Sequence, residues 1–419
     1  MNAIPALIAT DARTAMREIL QHRRPGHSLE RSCYTSAALH QLDIELVWHR
    51  EWIFVGHAAS IPQPGDYSTV MVGEYNLLLI RGDDHRVRAL HNVCRHRGSV
   101  LCDQPHGSAR RRIVCPYHQW SYELDGSLAK ARHMPDDFEP QLHGLGNAAC
   151  EIVSGMIFVC VADTPPDFAP VCDLVEPYLA PFDLGRARVA ATSTVIEHGN
   201  WKLVMENNRE CFHCKATHPE LCATFPEAPL HSGGGDGDDL VALLRLVQRG
   251  EELGLPSAFI ASADMQYRAM RMPLLGEARS MTMSGAPAVA KSFGDLPQEN
   301  IGDVLLYHYP STWNHFVADH AITFSMLPIG PTETQLTTTW LVPADAVEGV
   351  DYDIANLTSV WLATNAQDKA LVERTQRGVN SPAYQPGPYS PVEEEGVIQF
   401  IEWYSATMLQ RLHEHIGRA

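Results

Sequence analysis

Cys94-Arg95-His96, then eighteen residues, then Cys115-Pro116-Tyr117-His118: these two short stretches decide how the chain is read. Each offers one thiolate and one imidazole. Zinc accepts such donors, but zinc fingers pair Cys with Cys and His with His. The alternation suits a [2Fe–2S] cluster with two thiolates on one iron and two imidazoles on the other. Neutral imidazoles in place of anionic thiolates raise the reduction potential. A cluster of that kind accepts an electron and hands it on, so the chain is expected to contain a place that receives it. Cys102, between the two stretches, reads as a buried thiol.

The surroundings are rich in short β segments. Residues 67–72 and 76–81 flank Gly73-Glu74, and residues 122–124 and 127–129 flank Asp125-Gly126, both hairpin signals. Residues 51–163 therefore read as a small all-β domain. Residues 1–50 read as helical, with Leu39, Leu42 and Leu46 at helical spacing before Trp48 and Trp52. After the link Thr164-Pro165-Pro166-Asp167 the pattern over 164–419 mixes helices and strands. A helix is expected over 201–214, strands over 279–283, 321–327 and 334–342, and a helix over 360–376. The last places Trp361, Thr364, Asp368, Leu371 and Val372 near one face. The Gly/Asp-rich residues 232–239 read as a surface loop.

A receiving site can be read in Glu210, His213, His218 and Asp368. Two histidines and one carboxylate hold ferrous iron on one face and leave positions open for O₂ and substrate. Glu210 and His213, three apart, would share a helix face. His213 and His218, five apart, do not stack on a regular helix, so the turn must loosen before Pro219. Asp368 lies on the inward stripe of its helix, where a carboxylate needs a partner or a metal. Alone, such a histidine pair is unremarkable; the electron-transfer motif upstream gives it a purpose. Cys211 and Cys214 also form a C-x-x-C, read here as buried packing because no βαβ pattern surrounds it.

Formal net charge is 32 − 50 = −18, which disfavours nucleic acid and anionic membranes. No apolar run approaches the ~20 residues needed to span a bilayer. The N-terminus lacks a basic region before its apolar stretch, so a cytoplasmic location is expected, with the ten cysteines reduced and free for metal.

The two constellations in this order resemble the α-subunits of Rieske non-haem iron ring-hydroxylating oxygenases, and most closely the betaine-demethylating branch. The resemblance is carried by residues 91–99, 115–126 and 200–221, by 271–275 and 313–315, and by 376–390 with Tyr384-Gln385-Pro386-Gly387-Pro388-Tyr389. It implies an α+β fold: a small all-β Rieske domain, then a helix-grip-like catalytic domain of antiparallel sheet with helices, on which the N-terminal helical segment packs. It implies that Cys94, His96, Cys115 and His118 bind the cluster, and that His213, His218 and Asp368 bind Fe(2+). Glu210 matches the acid that bridges the cluster of one subunit to the iron of the next. Glu rather than Asp at that position favours relatives acting on quaternary amines.

The implied activity uses O₂ and electrons from NAD(P)H, delivered by a separate flavin/ferredoxin-type reductase. An N-methyl group of a glycine betaine- or proline betaine-like compound is hydroxylated and lost as formaldehyde, in a homotrimer. Aromatic faces suit a quaternary ammonium, and Tyr307, Tyr309, Trp313, Phe316 and Phe324 are the candidates, with Arg271 for a substrate carboxylate. Residues 223–302 follow the family pattern least and are expected to line much of the pocket. Two other readings stand: an aromatic-ring dioxygenase on the same scaffold, and a non-enzymatic Rieske electron carrier, for which the residues after the link are too many.

Overall fold

The structure is a computed structural model that describes residues 3–226 and 237–414. It divides into two compact units, Trp48–Phe168 on one hand and Met1–Val47 with Ala169–Ala419 on the other. Among the described residues no helix is long and apolar enough to cross a membrane.

The smaller unit is built on a seven-stranded antiparallel sheet. Its order is Ile53–His57, Met156–Cys160, Asn147–Val153, Val87–His91, Tyr75–Arg81, Asp66–Val72, His106–Ser108. Val72 pairs with Tyr75, which leaves Gly73-Glu74 as a two-residue turn, and Gly73 takes the positive φ of 58° that such a turn requires. A second, three-stranded sheet joins Ile113–Val114, Ser121–Tyr122 and Leu128–Lys130. Its hairpin is wider than the Asp125-Gly126 signal suggests, since the innermost strand pair is Tyr122 with Leu128. Leu78, Ile80, Leu90, Ile113, Trp120, Tyr122 and Leu124 form one core cluster of this unit, and Cys94 and Cys115 are packed into it.

The larger unit carries a seven-stranded antiparallel sheet. Five consecutive strands run as a meander from Tyr267–Met272 through Asp303–His308, Thr312–Phe316 and Ala321–Gly330 to Glu333–Pro343. Ile260–Ala261 closes one edge and Ala187–Glu197 the other. The 26-residue helix Ile354–Val379 starts at Asp353, whose side chain accepts from Asn356 N. It is tied to the sheet by Asn365 Nδ2 donating to Thr338 Oγ1 at 2.8 Å. The expected helix over 201–214 stops at Asn207, and only the short turn Cys214–Thr217 is helical beyond it. No strand forms over 279–283: Ser280 Oγ donates to Asp319, Thr282 Oγ1 to Ala286 O, and Gly285 turns the chain back at φ 71°. Of the expected loop at 232–239, residues 232–236 lie outside the described residues, and Gly237 already begins the helix Gly237–Leu253.

The N-terminal helices Ala3–His22, Arg31–Thr35 and Ala37–Asp43 belong to the larger unit and are anchored by Asp43. That carboxylate is fully buried, pairs with the equally buried Lys202, and accepts from Trp201 Nε1 at 3.1 Å and Tyr404 OH at 2.7 Å. Removing one partner of a buried pair strands the other charge. Lys202→Met is expected to destabilise the unit by about 3–5 kcal/mol, and adding Asp43→Leu should restore much of the loss. Urea unfolding followed by tryptophan fluorescence checks this; a single variant as stable as wild type would contradict it.

Candidate metal centres

The two Cys/His stretches fold into one loop design used twice. In the first, Cys94 N donates to Ser99 O (2.8 Å) and Gly98 N to Cys94 O (3.0 Å); in the second, Cys115 N donates to Trp120 O (2.8 Å) and Gln119 N to Cys115 O (3.1 Å). Each loop thus closes from its first residue to its sixth. The fifth residue of each has positive φ, 74° at Gly98 and 58° at Gln119. Cys94 and Cys115 are each only 2% exposed, while His96 and His118 stand exposed at the loop tips with ring centroids 4.7 Å apart. His96 stacks on Trp120 at 4.8 Å. Thiols at the base and imidazoles at the tip are the segregation that a two-iron cluster with unlike irons asks for.

Tyr122 OH accepts from Arg95 N at 3.0 Å, which leaves its proton for Cys94 Sγ, 3.3 Å away. Burial pushes the Cys115 thiol up, but Tyr117 N–H, Cys94 and His118 N–H outweigh it and bring it below the usual thiol range. A site that favours thiolate suits metal.

The second constellation is assembled from two segments about 150 residues apart. Because the helix Trp201–Asn207 ends early, Glu210 and His213 do not share a helix face. They meet across a turn, where Glu210 Oε2 accepts from the backbone N–H groups of Phe212 and His213. His213 Nε2, His218 Nε2 and Asp368 Oδ1 then converge at 3.0, 3.2 and 2.9 Å. Donors on one face of an octahedral metal, with bonds of about 2.1 Å at right angles, would sit about 3.0 Å apart, whereas tetrahedral donors would sit about 3.4 Å apart.

Each imidazole is fixed from behind. His213 Nδ1 lies 2.6 Å from Glu210 Oε1 and His218 Nδ1 lies 2.7 Å from Gln367 Oε1, while Gln367 Nε2 donates to Glu220 at 3.1 Å and so sets the amide. Both rings must donate backwards, so both turn a lone pair toward the centre. Asn207 Nδ2 donates to Asp368 at 2.7 Å. Burial works against a charged His213, yet Asp368 and Glu210 lift it to about 9; against the same burial, Asp368 and Gln367 raise His218, and His213, His218 and Asn207 lower Asp368. A cation at the centre satisfies all three donors, so the residues present fit a mononuclear metal. Cys214 Sγ is within 4.8 Å of the histidine donors, but it is bonded to Cys211 and offers no thiolate; the two cysteines form a disulfide rather than packing as free thiols.

The triad forms part of the wall of a cavity of about 130 Å³. Of the sequence candidates for substrate contact, Tyr307 and Trp313 line it, and Tyr309, Phe316 and Phe324 are not among the lining residues. Arg271 is fully buried, donates to Pro256 O and Ile301 O, and does not line the cavity either. Phe225, Phe259 and Arg268, from the stretch 223–302 expected to line the pocket, are in the wall, and so are Trp361, His315 and Arg209, which were not among the substrate candidates. Trp361 carried a signal, since it is seven residues before Asp368 on the same helical stripe.

Residues 184–410 match the model of the ring hydroxylating alpha subunit (catalytic domain), and residues 51–144 match the Rieske [2Fe-2S] domain. The chain is 44% identical over 406 residues to the glycine betaine monooxygenase oxygenase subunit of Chromohalobacter salexigens, covering 96% of this chain and 90% of that one. It is 43% identical over 409 residues to the glycine betaine monooxygenase oxygenase subunit of Pseudomonas aeruginosa, covering 96% and 94%. Among solved structures, a quaternary ammonium Rieske monooxygenase in complex with γ-butyrobetaine superposes with TM-score 0.68 at 20% identity, covering 93% of this chain and 98% of that one. Naphthalene 1,2-dioxygenase from Rhodococcus sp. does so with TM-score 0.70 at 16% identity, covering 96% and 99%. These last two likenesses establish the fold alone.

The two centres are expected to fail independently. Cys94→Ala should abolish the visible absorption of the cluster. Asp368→Ala should leave that absorption intact and lower iron from about three to about two per chain, since one carboxylate is the only anionic donor of the triad. Absorption spectra and iron analysis of the purified variants decide; a Cys94→Ala protein with an unchanged spectrum, or an Asp368→Ala protein with undiminished iron, would contradict the assignment.

Proposed function

This chain belongs to the ring-hydroxylating α-subunit family with an N-terminal Rieske domain, and from that premise we propose that it is the oxygenase component of an N-demethylase for quaternary ammonium compounds of the glycine betaine or proline betaine type. The observation that carries the reading is the convergence of His213, His218 and Asp368 on a small cavity walled by Trp361, Trp313, Phe225 and Tyr307. When bound, the cluster supplies single electrons and the mononuclear iron supplies O₂ activation.

The chain's own residues do the rest. Cys94, Cys115, His96 and His118 hold the cluster, and His213, His218 and Asp368 hold the iron. Glu210 and Gln367 keep the histidine lone pairs inward, and Asn207 does the same for the carboxylate. Aromatic faces hold an ammonium without asking it for a hydrogen bond, and the apolar Leu221, Met270, Met272 and Leu305 keep water from the reacting methyl group. In balance, the N-methyl carbon gains one oxygen atom of O₂, and the other leaves as water with two electrons and two protons. The N-hydroxymethyl product then breaks its N–CH₂ bond, releasing formaldehyde, a proton and the demethylated amine.

The electrons come from NAD(P)H through a separate reductase. The chain works as a homotrimer in which the cluster of one subunit serves the iron of the next, with Glu210 between them. Two features support this. Tyr117, Val93, Val100 and Val114 are 42–56% exposed around the cluster loops, and Phe212 is 59% exposed beside Glu210, the kind of apolar surface a neighbour covers. A cyclic head-to-tail interface also closes without open edges.

Supplied with a generic NADH-dependent reductase, the protein should release formaldehyde from glycine betaine or a related betaine, in step with NADH use. A cis-diol from an aromatic hydrocarbon, with no formaldehyde from any betaine, would favour ring dioxygenation instead. The subunit crossing has its own test. His118→Ala and Asp368→Ala should each be inactive, yet mixed trimers should regain part of the activity, because one supplies intact iron sites and the other intact clusters. Mixed trimers that form but stay inactive would contradict transfer between subunits.

A further inference from the structure

Two arginines in the cavity wall make no salt bridge within 4.0 Å to any described carboxylate, although Glu210, Glu393, Glu395 and Asp368 share the wall. Arg209 is 6% exposed and Arg268 is 5% exposed, and both guanidinium groups lie over the Tyr307 ring, at 4.1 and 5.0 Å from its centroid. Arg209 Nε donates to Tyr309 OH at 2.7 Å, and Arg268 donates to Gln399 Oε1. Gln399, which accepts from Arg268, donates its amide to Glu395 at 3.1 Å. Buried charges are ordinarily paired, because desolvation without a partner is costly. Stacking on one tyrosine offsets part of that cost and places two like charges on the same ring.

Both positions are built rather than accidental. Arg268 sits in the strand Tyr267–Met272 directly opposite Tyr307, and alternates with Met270 and Met272 along the cavity side. Arg209 packs against Gly396, where an added Cβ would come within 2.2 Å of Arg209 O.

We propose that Arg209 and Arg268 form a carboxylate clamp that makes this site select quaternary ammonium compounds bearing a carboxylate over alcohols of the same size. The inference rests on the reading of this cavity as the substrate site. The Tyr307 face is occupied by guanidinium, so the ammonium end takes the other aromatic faces. Trp361 lies two helical turns from Asp368 on the same stripe and suits that role, with the carboxylate held at the arginines. A bidentate, desolvated guanidinium contact with a carboxylate is the type of contact that gives this discrimination.

The test is calorimetric titration of the intact, iron-loaded protein with three probes: glycine betaine, choline, and tert-butylacetate, which keeps the carboxylate and replaces the ammonium by an uncharged isostere. Wild type should bind glycine betaine about tenfold or more tighter than choline, and Arg268→Gln should cut that ratio by about tenfold and abolish tert-butylacetate binding. Arg268→Lys, which keeps the charge and loses the planar fork, should cut the ratio by a smaller factor; it carries the test if Arg268→Gln does not fold. An unchanged ratio in the variants, or no preference in wild type, overturns the clamp. A wild type that binds tert-butylacetate through Arg268 but demethylates no betaine leaves the clamp standing and overturns the demethylase reading. A wild type that demethylates betaines with an unchanged ratio in both variants overturns the clamp alone.

Discussion

Three lone pairs pointed at one another are the constraint on which the larger unit turns. His213 Nε2, His218 Nε2 and Asp368 Oδ1 meet within 3.2 Å, and both imidazoles spend their remaining nitrogen on partners behind them. Without a positive charge at the centre this arrangement is unfavourable, and the lifted His213 and His218 show the pull toward a proton there. A divalent metal meets the same demand at greater depth. The back-bonding residues Glu210, Gln367 and Asn207 are therefore part of the site, because they decide which atoms face it.

The chain's local irregularities serve this convergence. A helix continued past Asn207 would carry His213 around the wrong side. The break, with Glu210 bonding the Phe212 and His213 N–H groups, turns the next segment toward the long helix. Asp368 reaches the same point because that helix packs closely against the turn at Gly199, where a Cβ would come within 2.4 Å of Val372 Cγ1. In the smaller unit the same economy appears differently. One six-residue loop closed by the same two backbone hydrogen bonds is used twice, and the core beneath it buries the sulfurs while the imidazoles stay exposed.

How much of this could be read beforehand depended on the kind of signal. The Cys/His alternation was legible because each loop carries one thiol and one imidazole within four residues. Asp368 was legible because a carboxylate on an apolar helical stripe has few explanations. The helix break was not, since residues 201–214 contain no Gly or Pro to announce it and the deciding contacts are side chain to backbone. The strand carrying Arg268 and Arg271 was opaque for another reason. Residues 268–272 are buried on both faces, so no polar alternation distinguishes the cavity side from the core side, and the guess fell on the arginine that braces the backbone. The bond between Cys211 and Cys214 was hidden by the expectation of reduced thiols.

The most direct test of the central claim is an anomalous difference map at the iron edge from crystals of the iron-loaded protein. A single-iron peak bounded by His213 Nε2, His218 Nε2 and Asp368 Oδ1, separate from a two-iron peak at Cys94, His96, Cys115 and His118, is the expected result. A catalytically active crystal with no peak among His213, His218 and Asp368 would contradict it.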